Sequence, residues 1–136
     1  MTRSASNVTA KVIDGKAIIV NALLEFRNSY GAGFNVTSTY TFPGDGAMVV
    51  DNAFNFVGSL PETINRIGVD LQMPMTATRV EYLGLGPWEN HSDRSAGAWL
   101  GRFTTTTHNM FVPYTRPQHC GNRFGTRWAT VTNPAT

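Results

Sequence analysis

Apolar and polar residues alternate with a two-residue period through much of the first half of the chain. In residues 17–27, Ile18, Val20, Ala22, Leu24 and Phe26 share one parity, which predicts a strand with these side chains on one face. Ile19 and Leu23 give the other face some apolar character. Asn28, Ser29, Gly31 and Gly33 supply turn chemistry, and the alternation resumes at Phe34, Val36, Ser38, Tyr40 and Phe42. Pro43-Gly44-Asp45-Gly46 is a strong turn signal, after which Met48, Val50, Asn52, Phe54 and Phe56 continue the pattern. Three successive strands with short turns predict an antiparallel meander.

The pattern breaks at Gly58 to Pro61. Ile67, Val69, Leu71 and Met73 then predict a further strand over Arg66 to Met73, which Pro74 stops. Arg79 to Leu83 reads as the next strand, and the spacing predicts that these two form a hairpin. A long Gly/Pro-rich loop is expected from Gly84, with a short turn of helix near Ser92 to Ala98 capped by Ser92. Phe103 to Thr107 and Thr126 to Thr132 are the last predicted strands. No sustained helical period and no internal repeat are present. The fold class is therefore expected to be all-β, an antiparallel sandwich in a single domain over residues 1–136. Residues 1–7 are set apart as linker-like. The ending Asn133-Pro134-Ala135-Thr136 reads as a cut within a larger β domain.

Composition sharpens this picture only slightly. With 136 residues, 41% of them hydrophobic and 15% charged, the chain can bury a core. The net charge is +2, and nine of the eleven basic residues are scattered arginines. A nucleic-acid binder concentrates such residues in a stripe, so no nucleic-acid partner is expected. No apolar run suggests a membrane span, and residues 1–7 lack the core of a signal peptide. That start favours the cytoplasm, and a leader on a longer parent would move the protein to the periplasm. Cys120, alone, cannot form an internal disulfide and is expected to be an inert, buried or half-buried thiol.

Candidate chemistry gathers in Gly84-Leu85-Gly86-Pro87-Trp88-Glu89-Asn90-His91-Ser92-Asp93-Arg94. Of the acids, only Glu89 and Asp93 lie near one another in a loop of aromatic and polar residues. Glycoside hydrolysis with retention needs two carboxyl groups about 5–5.5 Å apart. The stronger reading makes Asp93 and Arg94 turn-capping or ion-pairing groups, with Gly84, Gly86, Pro87, Asp93 and Arg94 a structural loop motif. Trp88 is the best candidate for an exposed ring that stacks on a sugar, although packing in the core or against another domain is the stronger reading of it, and Trp99 and Trp128 are expected to be buried. His91, His108 and His119 have no compact metal-ligand spacing, so no metal site is expected. Asn7-Val8-Thr9 and Asn35-Val36-Thr37 match the N-glycosylation pattern but read as ordinary strand or turn sequence.

The Gly84–Arg94 run, with Arg66-Ile67-Gly68 and Arg79-Val80-Glu81-Tyr82 before it and Pro113-Tyr114, Arg116-Pro117 and Gly121-Asn122-Arg123 after it, resembles the C-terminal small-chain domain of bacterial β-galactosidases of glycoside hydrolase family 2. The resemblance implies a galactose-mutarotase-like supersandwich, of which this chain is the N-terminal half. It implies a parent that releases terminal β-D-galactose with retention. The catalytic glutamates lie on a separate (β/α)₈ barrel, so no catalytic residue is expected here. It implies Mg²⁺ and Na⁺ in other domains, the barrel and those domains as packing partners, a β-galactoside at the pocket edge, and a homo-oligomeric parent. The family's pocket tryptophan falls beyond Thr136, and Trp128 is too early to take that role. The leading expectation is a non-catalytic piece that packs against the barrel and shapes its pocket. The competing expectation is an autonomous carbohydrate-binding module with Trp88, Glu89, Asn90 and Arg94 as its platform. A third reading, a sugar epimerase using His91, His108 and Glu89, has no spacing argument behind it.

Overall fold

A computed structural model describes residues 2–15, 17–59, 63–64 and 66–135. Met1, Pro61 of the predicted break and Thr136 of the predicted cut lie outside the described residues. Among those residues the chain is all-β apart from one four-residue helix, as the alternation predicts, and every strand pairing is antiparallel. Antiparallel sheets of this kind are the layers from which β-sandwiches are built. The chain divides into two compact units, one ending at Gly68 and one beginning at Val69.

The first unit is a four-stranded meander: β1 (Thr2–Ile13), β2 (Ala17–Arg27), β3 (Gly33–Phe42) and β4 (Val49–Val57), side by side in chain order. The register explains the alternation. Leu24 faces Val36, which faces Phe54, while Phe26 faces Phe34, which faces Phe56. Because side chains alternate across a strand, the residues of that parity form one apolar face. The opposite face carries Asn21, Thr39 and Asp51 in register, and the Thr39 hydroxyl donates to Asn21 Oδ1 at 2.9 Å. Within the apolar face the fully buried Ser38 donates to Asn52 Oδ1 at 2.6 Å, which satisfies its hydroxyl.

β1 is the strand the pattern missed. Thr2 to Asn7, set apart above as linker-like, are its first half. The ladder slips between Ser6 and Thr9, where two residues of β1 oppose the single Ala22 of β2. Asn7 takes a positive φ of 51° there. The bulge switches parity, so Arg3 and Ala5 share the apolar face with Ala10 and Val12. No single alternation runs through the strand, and its signal is lost.

The second unit is a three-stranded sheet. β5 (Arg79–Gly86) is central, flanked by β6 (Trp99–Thr106) and β7 (Trp128–Thr132), and α1 (Thr107–Met110) follows β6 directly. Val80, Tyr82, Gly84 and Gly86 form the buried face of β5. Tyr82 packs on Phe103 with ring centroids 5.5 Å apart, and Trp99 meets Phe103 edge-on at 6.0 Å. A methyl group at Gly84 would lie 2.9 Å from Thr126 Cα, and one at Gly86 would meet the Phe103 ring at 2.8 Å and overlap the Tyr82 hydroxyl. The two glycines are thus the spaces into which the neighbouring chain and rings fit.

Four local expectations are corrected. Arg66 to Met73 is not a strand, and it forms no hairpin with Arg79–Leu83, because β6 and β7 occupy both edges of β5. Ile67, Val69, Leu71 and Met73 stand exposed. Strand β5 continues through Gly84 to Gly86 instead of ending at Leu83. Ser92 to Ala98 is not helical. His91 and Arg94 exchange backbone hydrogen bonds of 3.1 and 3.5 Å around a tight turn, and Ala98 N donates to Ser95 O in the next one. Trp99 and Trp128 are 58% and 40% exposed rather than buried, because each lies on an edge strand of the small sheet.

Candidate functional site

The loop after β5 and the irregular segment before β7 are fastened together by two adjacent residues. Asn90 is 1% exposed and uses its whole side-chain amide. Its Nδ2 donates to Leu85 O and Trp88 O, both at 2.9 Å, and its Oδ1 accepts from Phe124 N at 2.8 Å. Its main chain continues the link: Asn90 N donates to Asn122 O at 3.0 Å, and Asn90 O accepts from Asn122 Nδ2 at 2.8 Å. One side chain thereby adds three bonds to the few main-chain ones that join the two segments.

Glu89 does the same with charge. Its side chain is 7% exposed, and its two carboxylate oxygens accept from the Tyr114 hydroxyl, from Arg94 Nη2 and from the Gly121 N–H. The Arg94 guanidinium also donates to the Tyr114 hydroxyl at 2.9 Å and lies 5.6 Å from that ring's centroid. His91 Nε2 lies 3.8 Å from Glu89 Oε1, buried and without a hydrogen-bond partner among the described residues. Burial by itself raises the Glu89 carboxyl. The hydrogen bonds from Tyr114 and Gly121, with Arg94 and His91 nearby, outweigh burial and hold it below its ordinary 4.5.

The sign of the resulting pH dependence follows from that lowered value. A carboxyl depressed in the folded chain contributes stability that is complete above its ordinary value and is lost as pH falls through the folded one. The thermal midpoint of the second unit is therefore expected to fall on acidification below 4.5. Glu89→Gln should remove that step and lower stability at neutral pH by about 2 kcal/mol, because an amide NH₂ then faces a donor. A wild-type midpoint that stays flat across this range, or a variant that keeps the step, would contradict the assignment.

The proposed sugar platform thus separates into unlike parts. Glu89, Asn90 and Arg94 are bonded to one another's loops. Trp88 stands 74% exposed beside them. Asp93 lies exposed in the tight turn. Gly84, Gly86 and Pro87 bring the chain from β5 into the junction, with the Pro87 carbonyl accepting from the buried Tyr82 hydroxyl at 3.2 Å. Arg123 Nε donates to the same hydroxyl at 3.0 Å. Cys120 is half-buried. Tyr114, Asn122 and Phe124 were not among the candidates, since nothing in an irregular loop foretells which loop it will meet. The only advance sign is that Pro113-Tyr114 and Gly121-Asn122-Arg123 carry the same family resemblance as the Gly84–Arg94 run. Among the described residues, no group of three or more His, Cys, Asp or Glu residues could hold a metal ion. No helix there is long and apolar enough to cross a membrane.

Fold and junction together define an all-β chain whose concentrated polar chemistry, in its second unit, ties loops to one another. Residues 2–136 match the family described as the beta-galactosidase small chain, and the chain belongs to that family. It is 34% identical over 116 residues to a β-galactosidase of Priestia megaterium and 34% identical over 120 residues to one of Photobacterium profundum. It is 40% identical over 95 residues to one of Vibrio vulnificus. These alignments take in 85%, 87% and 68% of this chain but only 11%, 12% and 9% of the three relatives.

Proposed function

We propose that this chain is a non-catalytic C-terminal piece of a β-galactosidase, one that packs against the catalytic barrel and shapes the edge of the galactoside pocket. The carrying observation is the small-chain match over residues 2–136, a region that corresponds to about a tenth of each relative's length. The geometry agrees with it. Glu89, the acid best placed for chemistry, has its carboxylate tied to Tyr114, Arg94 and Gly121. On this reading the parent hydrolyses terminal β-D-galactose with retention. Its Mg²⁺ and Na⁺ sit in other domains, and its subunits assemble with one another.

The test pairs the chain with a β-galactosidase from which the corresponding region has been deleted. The chain alone is expected to hydrolyse o-nitrophenyl β-D-galactoside no faster than buffer. Mixing the two should restore turnover in a saturable, concentration-dependent way. Hydrolysis by the chain alone, or a mixture no more active than the truncated enzyme, would count against the proposal.

A further inference from the structure

A second feature of the small sheet adjoins the loop junction and shares Tyr82, Pro87, Trp88 and Arg123 with it. Beside it lies a cleft of about 500 Å³, lined by Tyr82, Trp88, Phe103, Thr105, His108, Asn109, Phe111 and Arg123. Its volume falls within the roughly 300–1,000 Å³ of small-molecule sites. Two large aromatic rings stand open at it, Trp88 and, at 65% exposure, Phe111. Among the described residues, no acidic side chain lines it. Arg123 is held in place through Nε to Tyr82 and through Nη1 to the carbonyls of Gly121 and Asn122, which leaves Nη2 without a hydrogen bond among the described residues. Thr105, His108 and Asn109 likewise have side-chain polar groups that bond to no described residue.

We propose that this cleft binds a hexopyranose. A pyranose ring presents apolar C–H faces, which an exposed indole can cover, and a rim of hydroxyls that each donate and accept. Threonine, asparagine and neutral histidine also do both, and Arg123 adds a fixed donor. A phosphorylated ligand would call for more than one cation, and an apolar one would leave Asn109 and Arg123 unsatisfied. The site differs from the platform expected from sequence: Trp88 is common to both, while Glu89, Asn90 and Arg94 give way to His108, Asn109, Phe111 and Arg123. It lies wholly within the second unit and does not depend on catalysis by a parent enzyme.

The experiment is a ¹⁵N NMR titration of the complete chain with methyl β-D-galactopyranoside, with methyl β-D-glucopyranoside and sorbitol in parallel. Saturable shifts of the Trp88 indole N–H and the Asn109 side-chain amide are expected with at least one pyranoside, and none with sorbitol. Trp88→Ala should weaken binding about tenfold, equivalent to about 1.4 kcal/mol. Asn109→Ala should weaken it about fivefold. Neither variant removes a side-chain hydrogen bond of the fold, so their melting profiles should match the wild type. No saturable shift with either pyranoside overturns the proposal, as does binding that both variants leave unchanged. The titration is read on the chain alone, so a failed complementation with the truncated enzyme leaves its outcome untouched.

Discussion

Replacing Asn90 with alanine is expected to destabilise the second unit by about 3–5 kcal/mol, the largest effect of any single side-chain truncation at the junction. The amide occupies a position without access to water, and all three of its hydrogen-bonding partners are main-chain groups: Leu85 O, Trp88 O and Phe124 N. Removing it leaves these groups buried without partners, at about 1–3 kcal/mol for each one that water cannot reach. The main-chain pair between Asn90 and Asn122 survives, so the fold should loosen locally before it is lost. Asn90→Asp is a sharper version of the same test. It preserves shape and the bond from Phe124, but turns a carboxylate oxygen toward the carbonyls of Leu85 and Trp88. Urea unfolding at neutral pH measures both, and a loss below about 1 kcal/mol for the alanine variant would show that the two loops are held by something else.

Gly33→Ala is expected to cost about 3 kcal/mol and to open the β2–β3 hairpin. The added methyl group would overlap the Phe26 carbonyl oxygen and come within 3.2 Å of Arg27 Cα. The obstacle is main chain, so no rotamer change relieves it. The surroundings are also fixed: Arg27 Nη1 donates to Phe26 O at 2.9 Å and to Phe34 O at 2.7 Å, and Arg27 Nη2 reaches Glu25 and Asn35. Hydrogen exchange of the Leu24 and Val36 amides, deep in the paired region, should quicken in the variant. Unchanged protection there would mean that the hairpin absorbs the methyl group by a shift of its end alone.

The fold was legible where one physical cause governed many consecutive residues. β2, β3 and β4 each keep one parity over their length, so alternation located them almost to the residue. It failed at both ends of the same logic. In β1 a real strand carries a bulge and loses its alternation, while in Arg66–Met73 a good alternation finds both edges of the expected partner β5 already taken by β6 and β7. Pairing is a property of what else is available, and no local pattern reports it. The candidate site divides in the same way. Glycines, a proline, an asparagine and an acid in one loop announced a structured turn, and Asn90 and Glu89 do organise it. Their partners Gly121, Asn122 and Phe124 lie 32 or 34 positions away from them. Only the two loops meeting in space could reveal that the two sequence motifs are halves of one clasp.

The bulge in β1 gives the amino end one residue to spare. Between Ser6 and Thr9 the strand carries one residue more than its partner opposite. Dropping Asn7 or Val8 would leave a single residue opposite Ala22 and close the ladder into regular register, with Ser6 still opposite Leu23 and Arg3 and Ala5 still beside Phe26 and Leu24. A single lost codon at this point would thus straighten the strand without reversing the polarity of either face. For anyone trimming this end, the bulge is slack that can be taken up before any side chain is turned over.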